Sequence, residues 1–483
     1  MVNVVIFGIG KTYEIRKKIF EENRDRINIV AFLDNNSDFQ GKKVDEKVVY
    51  EPGKIKEINF DGVVILSKKF EKEMTNQLLA MGVKQNLIWN YNTLAHTALR
   101  GKRTCYVGKK DSCKLNKSKI LIVTTYMGFN GGTMVAVHAA QALQNRGFEV
   151  MISAPSIDKK LLEEIVQAGI SITVWDCLPC IYEEDKAWIS YYDIVIVNVF
   201  QMMNCAYEIS KIRPVMWWIH ENRAAGTNLY QDTKKEFQTI DTSEWMDRVE
   251  VLGVSNIAKE AFNYYYSSVI DKVLPFGIPD RYVKNNIQVS HKSKIVFAVM
   301  AIFSTLKGQR VLVEAEKKLT QNEKREIEIW FIGPSGKNEQ ELKVICEEQD
   351  NMRFFGRLSH EEVIRILPQI DVLVCPSQIE TMSMATIEGM MFKKLCITTD
   401  MTGVAEYIEN GKNGFVVKVN NSDELAKCMS WIINNREKWS SIQKEARKTF
   451  EREFTLEIFG NRLETELNNC KEKFYAKNRN VFS

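Results

Sequence analysis

Three bursts of consecutive apolar residues divide the chain: VVIFGIG from Val4, KILIVTT from Lys119 and KIVFAVM from Lys294. Each has the length of a strand buried on both faces, and each is followed by a helical pattern and then by further strands. Strand, helix, strand in succession is the pattern of a largely parallel sheet, so the sequence predicts three α/β units opening at those places.

The sharpest pattern lies in Asp371 to Asp400, DVLVCPSQIETMSMATIEGMMFKKLCITTD. Val372 to Cys375 reads as a buried strand, Pro376-Ser377 breaks it, a helix carrying Glu388 follows, and Leu395 to Thr398 is a second strand. In such a crossover ligands sit beyond the carboxyl ends of the strands, where Glu380 falls. The amides of Thr381, Met382 and Ser383 lead into the helix start and could hold a phosphate. If Met384 opens the helix, Glu388 shares its face, and both carboxylates can look into one cleft. Beside a phosphate, two ionised glutamates must accept from neutral hydroxyls, which points to sugar and ribose. Spacing alone also allows a helix-start glutamate at Glu380 and a solvated helix-face residue at Glu388.

Other strand ends carry chemistry too. In LIVTTYMGFNGGTMVAVHAAQALQNRGFEV, Gly128, Gly131 and Gly132 permit close approach to a ligand before a helix expected from Thr133 to Gly147, with His138 in its core. The strand PVMWWIHE puts His220 and Glu221 at its carboxyl end, and Trp217 and Trp218 on opposite faces. Lys307-Gly308 follows the first strand of the third unit. Near the N-terminus, Gly8 and Gly10 follow a strand and Asp34 ends the next, a dinucleotide-like opening in which Tyr13 replaces the third glycine.

A chain of 483 residues suggests about three domains of ~150 residues. A net charge of +4, from 66 basic and 62 acidic residues, gives no strong field and does not suggest nucleic-acid binding. No apolar run approaches the ~20 residues of a membrane helix, and VVIF is too short for a secretory signal, so a cytoplasmic location is expected. Ten cysteines then read as reduced thiols, and Cys177-Leu-Pro-Cys180 as two loop thiols without a metal. The basic tail (Lys471, Lys473, Lys477 and Arg479, interleaved with Phe474, Tyr475 and Phe482) is expected to fray, with weak peripheral contact to anionic lipid as the alternative.

Glu380, seven residues and Glu388, preceded by Pro-Ser and followed by a strand and the turn Gly403 to Glu406, resemble the nucleotide-binding signature of retaining glycosyltransferases of the B-type (GT-B) fold, family 4, group 1. The resemblance covers roughly the last three quarters of the chain. It implies an α/β fold of two Rossmann-like domains facing a cleft, preceded here by a smaller Rossmann-like module. The expected division is 1–110 for that module, 117–285 for the acceptor domain and 290–455 for the donor domain. Residues 456–483 form a helix and tail returning to the acceptor domain, and a hinge lies at about Asp280 to Lys294.

The resemblance also assigns roles. Glu388 meets the donor ribose, Glu380 the sugar hydroxyls, and Lys307 with the amides of Thr381, Met382 and Ser383 the diphosphate. His220 faces them across the cleft, Gly131 and Gly132 approach donor phosphate and acceptor, and Gly356-Arg357-Leu358 contacts the base. The family's loop arginine is replaced by Ile302 and Leu306, leaving Arg310 or Arg223 to supply a second cation. No metal or other cofactor is implied. The partners are a nucleotide sugar and a glycan or lipid-linked acceptor, and the product is cell-surface polysaccharide. The first module resembles small Rossmann modules of sugar-nucleotide-modifying and sugar-acyltransferase proteins, so Gly8, Gly10 and Asp34 could line a nucleotide pocket or an unliganded scaffold. Two other readings stay open: a catalytically idle sugar-nucleotide-binding subunit, and an oxidoreductase or epimerase led by the first module.

Overall fold

The structure, a computed structural model, describes residues 1–67, 70–91, 93–94, 103–108, 118–175, 178, 181, 183–223, 246–266, 270–282 and 294–477. Cys177 and Cys180, Arg479 and Phe482, and most of the expected linker and hinge lie outside them. The chain divides into two compact units. The smaller comprises Met1–Cys105, Ala154–Ser156 and Thr173–Trp188, and the larger holds the rest.

The smaller unit is built on six strands in the order Lys43–Val44, Lys47–Tyr50, Ile27–Leu33, Val2–Phe7, Gly62–Ile65, Ile88–Asn90. All neighbours are parallel except the first two, an antiparallel hairpin turning at Asp45 and Glu46, both left-handed. Val4, Val5, Ile6 and Phe7 are all buried, because helices and loops cover both faces of a parallel sheet. Val5, Phe7, Leu33, Val63 and Ile65 meet Met74 and Leu78 of the helix Glu71–Ala80 in one cluster.

The larger unit contains two further parallel sheets. In the first, neighbouring strands run Val249–Gly253, Val215–Ile219, Ile194–Asn198, Lys119–Val123, Glu149–Ala154. The second has six strands in the order Met352–Gly356, Ile327–Ile332, Ile295–Met300, Val372–Cys375, Leu395–Thr399, Phe415–Val417. Its core joins Phe297, Phe331 and Ile397 to Leu312 of the helix Gln309–Lys317 and to Leu425, Met429 and Ile432 of the helix Ser422–Asn434. Both sheets place their first strand centrally and reverse order beside it, which opens a crevice at the carboxyl ends of the strands.

The helix Leu456–Lys477 packs back on the first of these sheets. Phe459 is fully buried with its ring 5.5 Å from Trp218, and Arg146 pairs with Glu464. The expectation of a frayed basic tail is corrected up to Lys477: Lys471 donates to Ser118, Lys473 pairs with Glu250 at 3.2 Å and Lys477 with Asp247 at 2.8 Å. These ammonium groups therefore already have partners within the protein. No helix among the described residues is long and apolar enough to cross a membrane.

Candidate functional site

The strand Ile295–Met300 leads into a single 3-10 turn, Thr305–Lys307, and then Gly308. Gly308 has φ +67°, and a Cβ there would stand 1.9 Å from the Pro376 carbonyl oxygen. Only glycine lets the two strand-end loops touch, and Gln378 N completes the contact by donating to Leu306 O at 2.8 Å. This apposition brings Lys307 to Glu380: the ammonium pairs with Oε2, which also accepts from Ser377 Oγ at 3.1 Å. The Glu380 backbone is held on both sides, donating to Met401 O and accepting from Gly403 N, each at 3.0 Å. A ligand entering here must offer the lysine an anion and the glutamate hydroxyl donors to replace the pair.

The helix Met384–Met391 begins where the sequence places it. Ser383 is its N-cap and accepts from Thr386 N, so the cap satisfies one orphan donor. The amides of Thr381, Met382 and Ser383 make no backbone hydrogen bond among the described residues and remain available to an anion. Glu388, one turn in, is half-buried, and its carboxyl makes no hydrogen bond or ion pair among the described residues. Burial pushes its carboxyl up to about 7, against the opposing influence of Arg281. An acidic side chain left in this state gains from donors that stabilise its charged form.

Across the larger unit, the helix carrying the glycines spans Gly131–Asn145, two residues earlier than expected, because Asn130 caps it by accepting from Thr133 N at 3.2 Å. Among the described residues, no atom beyond the helix's own backbone and the adjoining residues lies within 4 Å of where a Cβ on Gly131 would point. His138 is buried in the helix, as expected of a core residue. Trp217 and Trp218 are both fully buried, their indole N–H groups donating to Val199 O at 3.1 Å and Leu274 O at 3.0 Å. His220 packs 4.5 Å from the Trp218 ring; its Nε2 is buried without a partner among the described residues, and burial lowers its pKa to about 3. It is therefore a neutral imidazole at physiological pH.

Asn198 and the bonds of Glu221 were not foreseen from sequence. Asn198 is fully buried and donates to Thr124 Oγ1 at 3.0 Å and Gly132 O at 3.1 Å, tying a strand end to the glycine loop. Its place at the carboxyl end of DIVIVN was the available signal. Of the candidate second cations, Arg310 is exposed and pairs with Glu341 at 3.1 Å, and Arg223 stacks over Tyr264 at 4.0 Å. Ile302 and Leu306 are exposed apolar residues. Arg357 is exposed just beyond the strand Met352–Gly356, without a hydrogen bond or ion pair among the described residues.

In the smaller unit, the Asp34 carboxylate ties its own loop to the glycine loop, accepting from Asn36 N at 2.8 Å and Ile9 N at 2.9 Å. Tyr13 is buried between Phe20 and Phe32, and its hydroxyl donates to Asp45. Gly8 has φ +92°, and Gly10 precedes the helix Lys11–Glu22 without a side-chain cap. The Gly8, Gly10 and Asp34 constellation is thus assembled, with the carboxylate holding backbone rather than standing free.

Residues 282–449 match the family described as Glycosyl transferases group 1, and residues 1–89 match that described as C2185-like, N-terminal. An uncharacterized glycosyltransferase of Methanocaldococcus jannaschii is 24% identical over 230 residues, covering 43% of this chain and 62% of the relative. Another, of Haemophilus influenzae, is 21% identical over 339 residues, covering 66% and 92% respectively. The crystal structure of Anabaena HepE in complex with UDP and glucose superposes with a TM-score of 0.59 at 16% identity, over 73% of this chain and all of HepE. The chain therefore has the GT-B fold, and over residues 282–449 it is similar to the glycosyl transferases group 1.

Proposed function

We propose that this chain is a retaining, metal-independent glycosyltransferase of family 4. It takes a hexose from a nucleoside-diphosphate sugar and adds it to a glycan or lipid-linked acceptor, in the cytoplasm, for cell-surface polysaccharide. The domain division proposed from sequence goes with this reading, with the donor domain at 290–455 and the acceptor domain at 117–285. The carrying observation is Glu388: a half-buried carboxyl without a partner among the described residues, one turn inside a helix whose leading amides make no backbone hydrogen bond there. Ribose hydroxyls on Glu388 and a diphosphate on the amides of Thr381, Met382 and Ser383 would satisfy both.

Lys307 then moves from Glu380 to the diphosphate, and Glu380 turns to the hydroxyls of the sugar. Arg357 contacts the base in this reading. The bond from the anomeric carbon to the diphosphate breaks as an acceptor hydroxyl attacks from the same face and passes its proton to a donor phosphate oxygen. Preorganised positive charge at Lys307 and the helix start lowers the barrier to departure. His220, neutral, accepts or donates a single hydrogen bond near the sugar. UDP-glucose is the first donor to try, because HepE holds UDP and glucose. The test is a thermal-shift screen against UDP, GDP, dTDP and their sugars, then product analysis with the donor that binds. No shift from any nucleotide would reject the reading. The engagement of Arg310 with Glu341 favours one alternative, a binding subunit without turnover, marked by tight nucleotide binding and no sugar release.

A further inference from the structure

Beside His220 the backbone does something the sequence does not announce. Val199, directly after the strand Ile194–Asn198, has φ +74° and ψ 155°, a conformation that a β-branched residue rarely adopts. Its neighbours hold it there. Val199 N donates to Trp218 O at 3.0 Å, and Val199 O accepts from Trp217 Nε1 at 3.1 Å. The next amide, Phe200 N, donates to both carboxylate oxygens of Glu221 at 3.0 Å, and Oε2 also accepts from His220 N at 3.0 Å. Glu221 pairs with no cation among the described residues. Among the described residues, the hydrogen bonds of its carboxyl come from backbone amides.

The strained turn touches the glycine loop. Val199 Cγ1 lies 3.9 Å from where a Cβ on Gly132 would be, and Asn198, one residue earlier, holds the Gly132 carbonyl. We propose that Glu221 is a positioning residue: it fixes the direction of His220 and, through Phe200, the Val199 turn that sets the place of the Gly131-Gly132 loop. This builds on the proposed function in treating His220 and that loop as the acceptor side of the cleft. Glutamine is a poor substitute, because only one of its two terminal atoms accepts and its NH2 must face an amide N–H.

The discriminating experiment adds a rescue. Wild type, Glu221→Gln and the double variant Glu221→Gln/Val199→Gly are compared, since glycine takes positive φ without strain and makes the tether dispensable. Hydrogen exchange is read at the Thr133 and Met134 amides, which bond to Asn130 at the head of the loop. UDP release from UDP-glucose is followed in parallel. In Glu221→Gln, exchange at those amides should rise about tenfold or more. Turnover should fall about 10-fold to 100-fold, with KM for UDP-glucose within about twofold. The double variant should recover both loop protection and most of the turnover. Glu221→Asp, which keeps both carboxyl oxygens but is one methylene shorter, should show a smaller loss that the same Val199→Gly change repairs, and it serves if the glutamine variant does not fold. Wild-type exchange in Glu221→Gln, or a double variant no better than the single one, overturns the proposal. If wild type does not consume UDP-glucose, that donor assignment fails and the exchange arm alone decides the positioning role.

Discussion

Replacing Glu388 by glutamine should make the protein more stable and its donor site weaker, with both effects governed by pH. Burial raises this carboxyl from an ordinary 4.5 to about 7. At ~1.4 kcal/mol per unit, ionising it in the folded, empty protein costs on the order of 3 kcal/mol. Proton binding sets the sign: between pH 4.5 and 7 the folded state holds a proton that the unfolded state has released. Stability contributed by this group is therefore full below that window and falls as pH rises through it. Glu388→Gln lacks the cost, so its advantage over wild type should be near zero at low pH and about 1–3 kcal/mol above neutrality. Ligand affinity runs the other way, since hydroxyl donors prefer the carboxylate. For UDP-glucose, whose diphosphate does not titrate near neutrality, wild-type Kd should tighten about tenfold between pH 6 and 8 and stay flat in the variant. Calorimetric titration at several pH values, with urea unfolding beside it, measures both. An equal pH slope in wild type and Glu388→Gln would refute the assignment.

Lys307→Ala should lower turnover about 100-fold or more while weakening UDP binding less, because the charge matters most as the diphosphate departs; steady-state kinetics with a binding titration separate the two, and wild-type turnover would remove Lys307 from the site. Gly308→Ala forces a Cβ against the Pro376 carbonyl at positive φ, so a loss of about 2 kcal/mol or more is expected in urea unfolding, and an unchanged midpoint would contradict the packing of these loops. Phe459→Ala empties a fully buried site beneath Trp218 and should cost about 3–5 kcal/mol; a loss under about 1 kcal/mol would mean that the C-terminal helix does not brace the first sheet of the larger unit.

Much of the architecture could be read from local pattern. VVIF, ILIV and IVFAV are strands because apolar residues on both faces suit only a sheet covered on both sides, and each is central in its sheet. The helix bearing Glu388 was legible from its neighbours: Pro376 stops a strand, and Ser383 caps the helix after it. The features that escaped depend on partners far away in sequence. Nothing near Asp34 says that its carboxylate will turn back to Ile9, and nothing near Arg310 announces Glu341. The basic tail read as solvated because its partners, Ser118, Asp247 and Glu250, lie more than two hundred residues earlier. Val199 escaped for another reason. A valine after a strand predicts more extended backbone, and the bonds to Glu221 and the two tryptophans accompany its positive φ.

The most direct test of the account is a crystal structure with UDP-glucose bound. It should show ribose hydroxyls within hydrogen-bond distance of Glu388, the diphosphate on the amides of Thr381, Met382 and Ser383, and Lys307 moved from Glu380 to a phosphate oxygen. Density for the nucleotide at Gly8 and Gly10 of the smaller unit, with the Lys307 and Glu380 pair intact, would contradict it.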